Sequence, residues 1–182
     1  MSNATQQKTD AIELLKSDHA AVTELFEEFK HFIEDQTPGV DELMQELVDQ
    51  ACTALKVHMR IEEEIFYPAA RASLFDDAQD MMNEAVVEHV GAKDLIEEIE
   101  DGRASDPMTR ARFLVLAEHI GLHVREEESR MFPKLRRSSM DMEEVGRQLA
   151  ARKQELEGDA TRVRGIMPSK PGLWERIATL RG

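Results

Sequence analysis

This sequence has little with which to staple or break itself. A single cysteine in 182 residues rules out an intrachain disulfide and fits a reducing compartment, so a cytoplasmic protein is expected. Glycine (9) and proline (6) are sparse and aromatic residues make up 5%, a profile that suits a helical protein. No apolar run approaches the ~20 residues of a membrane span, and the N-terminus shows no charged-then-apolar leader pattern. Neither membrane insertion nor export is expected. Positive charge is short as well: 23 Lys and Arg against 37 Asp and Glu leave a formal net charge of −14. That argues against nucleic acid or an anionic membrane as a partner, since both need clustered Lys and Arg. The length suffices for one domain with a full hydrophobic core.

What the chain does have is one stretch written twice. His58-Met59-Arg60-Ile61-Glu62-Glu63-Glu64-Ile65-Phe66-Tyr67-Pro68 is echoed by His123-Val124-Arg125-Glu126-Glu127-Glu128-Ser129-Arg130-Met131-Phe132-Pro133. On an α-helix, residues i and i+4 share a face, about 40° apart around the axis. His58 therefore pairs with Glu62, and His123 with Glu127. Glu63 and Glu128 fall about 140° from the histidine of their own copy, and Glu64 about 120° the other way, where they can stay in water. Upstream of each copy another histidine follows an acid, in Asp18-His19 and Glu88-His89. Two such halves, folded face to face, offer four imidazoles and two carboxylates to one cavity.

The periodicity between these motifs is helical. A first helix is expected from Asp10, capped by that residue with Glu13 three positions on, to near Asp35, with Ile12, Leu15, His19, Val22, Phe26 and Phe29 on its inward stripe. A second runs from about Asp41 until Pro68 loosens or ends it. A third starts near Asp76 or Asp77 and stops at Gly102. Asp106-Pro107 reads as an N-cap with proline at the first helical position of a fourth, which reaches Pro133. A fifth helix is expected from Asp141 to about Glu157, closed by Gly158 and followed by an irregular basic tail with one short helix. The fold class is all-α: an up-down-up-down four-helix bundle with an additional C-terminal helix and tail. The division is a disordered lead-in (1–9), the bundle (10–136), and the C-terminal helix and tail (137–182).

A carboxylate at the centre of an apolar stripe costs on the order of several kcal/mol unless it is paired or bound to metal. Glu62 and Glu127, one from each half and each between two histidines, are placed to bridge two cations whose charge offsets theirs. Neutral imidazole suits Zn, Cu, Fe and Ni. Any one of these histidines alone would pass for an ordinary core residue. Four on the inward faces of four successive helices, two of them with an i+4 carboxylate, point to a metal site. His119, one turn before His123, is a further candidate ligand. Asp18 and Glu88 are candidates to orient the rings. Cys52 reads as a small buried apolar residue with no base beside it, and the ten methionines as core. Tyr67 projects opposite His58 and is expected to be exposed.

Lys16-Ser17-Asp18-His19, the two His-x-x-x-Glu-Glu segments ending in Pro68 and Pro133, and Glu88-His89 resemble the hemerythrin-like, or HHE cation-binding, family. The resemblance covers about Ile12 to Arg136, and Asp141 to Leu156 is similar to the trailing helix of bacterial members. It implies a bundle around two iron ions joined by an oxo or hydroxo bridge, with Zn or Mn as substitutes. His19, His58, His89 and His123 would be terminal ligands and Glu62 and Glu127 the bridges. It implies a protein that binds or senses O2, NO or peroxide, with an unidentified redox partner, more than a dedicated enzyme. The alternatives are iron storage or donation, peroxide decomposition at the same centre, and a zinc-bound or metal-free helical interaction module. There is one departure. Oxygen-carrying members place two histidines one turn apart on the third helix, whereas the residues one turn either side of His89 are Ala85 and Lys93. One iron then lacks a protein ligand, or takes His119 or a nearby glutamate.

Overall fold

The computed structural model describes residues 9–34, 38–74, 77–164 and 173–181, and each regular element among them is helical. In chain order these are α1 (Ala11–Glu34), α2 (Asp41–Ile61), α3 (Tyr67–Ser73), α4 (Asp77–Glu100), α5 (Pro107–Glu126), α6 (Phe132–Leu135), α7 (Met142–Arg164) and α8 (Leu173–Arg181). A five-residue π-helical turn joins α2 to α3 (Glu62–Phe66) and another joins α5 to α6 (Glu127–Met131). Residues 1–8 of the expected lead-in, the expected helix end at Asp35, and Asp76 lie outside the described residues.

The expected caps form. Asp10 Oδ1 accepts from the backbone N–H groups of Ile12 (3.0 Å) and Glu13 (3.1 Å), which would otherwise be orphaned at the start of α1. Asp106 accepts from Thr109 N–H at 2.9 Å ahead of Pro107, and Asp141 from Glu144 N–H at 2.9 Å ahead of α7. Gly39 takes φ +74°, a left-handed conformation that suits glycine, in the turn before α2.

The bundle direction follows from where each helix meets the core. The apolar interior falls into two clusters. Helix α1 contributes Ala11, Ile12 and Leu15 to one, then His19, then Val22, Leu25, Phe26 and Phe29 to the other. Helix α2 meets them in the reverse order, α4 in the order of α1, and α5, continued through the second π turn to Met131, in the order of α2. Helices α1, α2, α4 and α5 thus alternate up and down, and each has a buried histidine where the chain passes from one cluster to the other. Helix α7 lies across α1, α2 and the first π turn, adding Val145 and Leu149 to the core. Its Gly146 sits so close to the chain start that an added Cβ would collide with the Thr9 carbonyl oxygen and the Ala11 amide. Helix α8 adds Leu173 and Ile177 to the far cluster.

The helices depart from expectation at two prolines and one glycine. Pro68 loosens its helix, as one of the two expectations had it, and neither it nor Pro133 ends one. A proline in a helix interior cannot donate a hydrogen bond, and its ring collides with the carbonyl four residues back. Here the turn before each proline widens: Tyr67 N–H bonds to the Glu62 carbonyl and Phe132 N–H to the Glu127 carbonyl, five residues back, and the helix continues. Gly158 does not close α7; it lies within the helix, which runs on to Arg164. Among the described residues no helix is long and apolar enough to cross a membrane.

Candidate metal centre

Between the two apolar clusters lies a polar layer. His19, His58, His89 and His123 are buried, and Glu62 and Glu127 are the most deeply buried acids, at 0% and 1% exposure. Their donor atoms converge in two groups: His19, His58, Glu62 and Glu127 in one, and Glu62, His89 and His123 in the other. Glu62 spans both, with Oε1 3.2 Å from His58 Nε2 and Oε2 3.4 Å from His89 Nε2. Glu127 faces both with a single oxygen, Oε2 lying 3.4 Å from His19 Nε2 and 3.6 Å from His123 Nε2. The six residues singled out in the sequence are therefore together. His119 is exposed on the outer surface of α5 and stands outside both groups.

A second shell of acids holds the rings. His19 Nδ1 lies 2.9 Å from Glu128 Oε1, His89 Nδ1 3.0 Å from Glu63 Oε1, and His123 Nδ1 2.9 Å from Glu88 Oε2. His58 Nδ1 faces Asp18 at 3.5 Å. Glu63 and Glu128 were expected in water. They do point away from the histidine of their own helix, but in a bundle that direction leads to the histidine of the neighbouring helix. Asp18 and Glu88 likewise serve not the histidine beside them in the chain but the one across the interface. A carboxylate on Nδ1 selects the tautomer that carries its proton there, and so turns the Nε2 lone pair inward. The Nε2 atoms meet in pairs, His19 with His58 at 3.1 Å and His89 with His123 at 3.3 Å.

Tyr67 is the residue that helical counting misplaced. It is buried, its hydroxyl donates to Glu127 Oε1 at 2.9 Å, and its oxygen is 3.4 Å from His89 Nε2. The π turn explains the difference. One extra residue in the turn rotates the later part of the helix by about 100°, which swings Tyr67 from the far side toward the layer. The signal was present in the sequence as an aromatic residue before a proline in both copies, embedded in a helix too well patterned to stop there.

Electrostatics show what the layer does without a cation. Burial works against a proton on His58, but Glu62 beside it, Asp18 behind it and Glu127 nearby outweigh that and raise its pKa to about 10. His89 is raised against the same burial by Glu62 and Glu63. Burial pushes the Glu62 carboxyl up, and His58 and His89 hold it well below the usual carboxylate range. Burial, together with the charges of Glu62 and Glu127, drives the Tyr67 phenol well above its ordinary value. A cavity of about 10 Å3 lies between the four imidazoles and an aliphatic floor that includes Val22, Leu55 and Ile120. A second of about 10 Å3 opens beside His123 and Glu127, toward Glu88 and Arg130.

The comparison with known families gives a match to the Hemerythrin HHE cation binding domain over residues 10–164. A protein from Nostoc sp. named DNA nickase is 30% identical over 163 residues, which cover 86% of this chain and 44% of that protein, so the chain spans less than half of that relative. A crystal structure of a hemerythrin HHE cation binding domain-containing protein from Mycobacterium kansasii is similar in fold, with a TM-score of 0.68 and 26% identity over 86% of this chain and 94% of that one.

Proposed function

This chain belongs to the hemerythrin HHE cation binding domain family, and we propose that its polar layer holds two iron ions and binds a small diatomic ligand, O2 or NO, as a carrier or sensor. The observation that carries the reading is the pairing of the imidazoles. With Nδ1 protons directed at Glu128, Glu63 and Glu88, the Nε2 lone pairs face one another at 3.1 and 3.3 Å, an arrangement that repels unless a cation or a proton sits between them. Glu62 Oε1, Glu62 Oε2 and Glu127 Oε2 are buried and make no hydrogen bond, which is costly for a carboxylate and suits one that binds metal. The donor set of imidazole and carboxylate fits a first-row metal.

Iron, when bound, supplies reversible electron transfer to the ligand. The protein's own residues supply the rest. Glu62 and Glu127 hold two positions at once and offset their charge. The outer acids fix each ring, and Lys93, 2.6 Å from Glu63, holds that acid in place. The aliphatic floor is apolar, and a space of about 10 Å3, room for about one water-sized guest, shuts out organic substrates that need on the order of several hundred Å3. Four imidazoles against two carboxylates favour reversible binding over the oxidising chemistry of carboxylate-rich di-iron sites. The name of the Nostoc relative belongs to a protein of which this chain covers 44%, and a net charge of −14 supports no nucleic-acid partner for this chain.

The test is metal analysis of aerobically purified protein with its absorption spectrum. Two irons per chain, ferric charge-transfer bands in air, and a reversible spectral change on removing and readmitting O2 or adding NO are expected. Zinc in place of iron, or no bound metal after reconstitution, refutes the reading. Steady decomposition of added peroxide that disappears in Glu62→Ala would move the assignment to an enzyme.

A further inference from the structure

Val87, Val90, Met108, Val115 and Leu122 are the exposed large apolar side chains among the described residues, and all five lie on α4 or α5. On α5 they fall seven residues apart, which makes them one stripe along the helix. Glu88 meets His123 at 2.9 Å and Arg112 meets Glu98 at 2.6 Å. These contacts run α4 antiparallel to α5 and bring Leu122 level with Glu88 and His89, between Val87 and Val90. Val87, Val90 and Leu122 are 70%, 54% and 47% exposed. Gly91 beside them carries no side chain, and a Cβ placed there would meet nothing within 4 Å. A water-facing surface seldom gathers its apolar side chains on one face unless something docks there. In the other half α7 lies against α1 and α2.

We propose that this patch docks a basic electron-transfer protein that returns electrons to the metal layer. The electron's destination rests on the two-iron reading; the docking itself does not. Reversible O2 binding needs ferrous iron, so a centre that has turned ferric needs an electron from another molecule. The patch lies close to the layer. Val90 follows His89 and Leu122 precedes His123, so one helix wall divides this surface from the buried imidazoles. Its border is acidic. Glu84 comes three residues before Val87, Asp94 four after Val90, and Glu118 and Glu126 four either side of Leu122, each one turn away on the same face. Of the Lys and Arg residues within a turn of these three, Lys93 is held by Glu63 at 2.6 Å, which leaves Arg125 against four carboxylates. A second copy of this chain would bring the same acids and its own net charge of −14 against them. A partner with a lysine-rich rim around an apolar centre meets both features, steered by charge and seated on the valines and Leu122. Such redox encounters are small and salt-sensitive. One electron passes per encounter: the partner's reduced centre is oxidised, ferric iron becomes ferrous, and no atom changes hands.

The probe is a lysine-rich, low-potential tetrahaem cytochrome, with its lysine-succinylated form as the control of opposite charge. The metal-free, isotope-labelled full chain would be titrated with each and followed by NMR. Backbone signals of Val87, Val90, Gly91 and Leu122 should shift or broaden with the basic cytochrome, recover on adding salt, and stay put with the succinylated one. Val90→Lys with Leu122→Lys should weaken docking at least about tenfold, while the same charge change on the α7 surface, Ala151→Lys with Gln154→Lys, should alter it less than about threefold. In the iron-loaded ferric chain, stopped-flow reduction by the reduced cytochrome should slow in the same order. Shifts confined to another face, docking indifferent to Val90→Lys with Leu122→Lys, or a wild-type dimer that those substitutions dissociate in sedimentation would overturn the surface. Reduction that stays fast when docking is lost would overturn its electron role. Normal iron content without docking would sink the surface alone, whereas docking without bound iron would sink the two-iron reading and the electron's destination with it. Circular dichroism checks the fold of each variant; were helix lost, Val87→Lys, at the most exposed of the three positions, takes the place of the pair.

Discussion

The α1–α3 half and the α4–α6 half are variations on one plan, and their differences are as informative as their agreement. His19 corresponds to His89, His58 to His123, Glu62 to Glu127, and Pro68 to Pro133, each proline behind its own π turn. Even the outer latch repeats: Arg71 reaches Gln79 and Asn83 at the start of α4 (2.8 and 2.9 Å), and Arg136 reaches Asp10 and Glu13 at the start of α1 (2.5 and 2.7 Å). The halves part company at three places. Tyr67 bonds Glu127, whereas its counterpart Phe132 stacks on His19 with centroids 5.9 Å apart. Asp18 is drawn toward Lys153 of α7 and stands 3.5 Å from His58, whereas Glu88 reaches His123 at 2.9 Å. Helix α7 covers the first half, while the outer surface of the second leaves Val87, Val90 and Leu122 exposed. Equal donors with unequal surroundings teach that the repeat supplies the imidazoles and the two inner acids and the departures from it make the two groups distinct.

The largest effect should come from the residue both halves share. Glu62→Ala removes the carboxylate that spans the two positions and should lower iron to well under one per chain, whereas His89→Ala and His19→Ala should each leave about one. Elemental analysis after dialysis measures this, and loss of both irons in His89→Ala would show that the halves do not bind independently. Next is the covered half. Gly146→Val drives a side chain into the Thr9 backbone and should destabilise by roughly 1–3 kcal/mol in urea unfolding. Gly91→Ala on the bare α4 surface meets nothing and should stabilise by about 0.5–1 kcal/mol.

In the metal-free protein the Glu62–His58 pair carries a pH window. The raised His58 contributes stability that is full below its ordinary 6.5 and fades as pH climbs through about 10. The depressed Glu62 contributes stability that is present above its ordinary 4.5 and fades as pH falls below it. Thermal melts should therefore peak between the two limits, and Glu62→Ala should flatten both shoulders. Under the proposed function a metal takes the place of the His58 proton, and iron uptake should then strengthen with rising pH over the same range. The smallest effect should be Lys153→Met, which frees Asp18 to close on His58; for a partly exposed pair the cost is under about 1 kcal/mol. Ring nitrogen chemical shifts should move at His58 and stay put at His123.

The site was legible to the depth at which helical spacing alone decides it. His58 with Glu62 and His123 with Glu127 needed only the i to i+4 relation, and His19 and His89 only a place on an apolar stripe. Glu63 and Glu128 were misjudged because counting around one helix says where a side chain leaves the axis, not what waits there. Tyr67 was misjudged because the count assumed 3.6 residues per turn through a segment where a proline six residues beyond Glu62, as beyond Glu127, makes the turn wider.

The amino-acid pattern by itself determined four amphipathic helices, their caps, and six inward donors, because all of these depend on neighbours within a turn or two of chain. Which acid braces which imidazole, which aromatic enters the layer, and which half lies under α7 were decided by packing. Those contacts join residues as far apart as His19 and Glu128, or Tyr67 and Glu127, and no local period relates them.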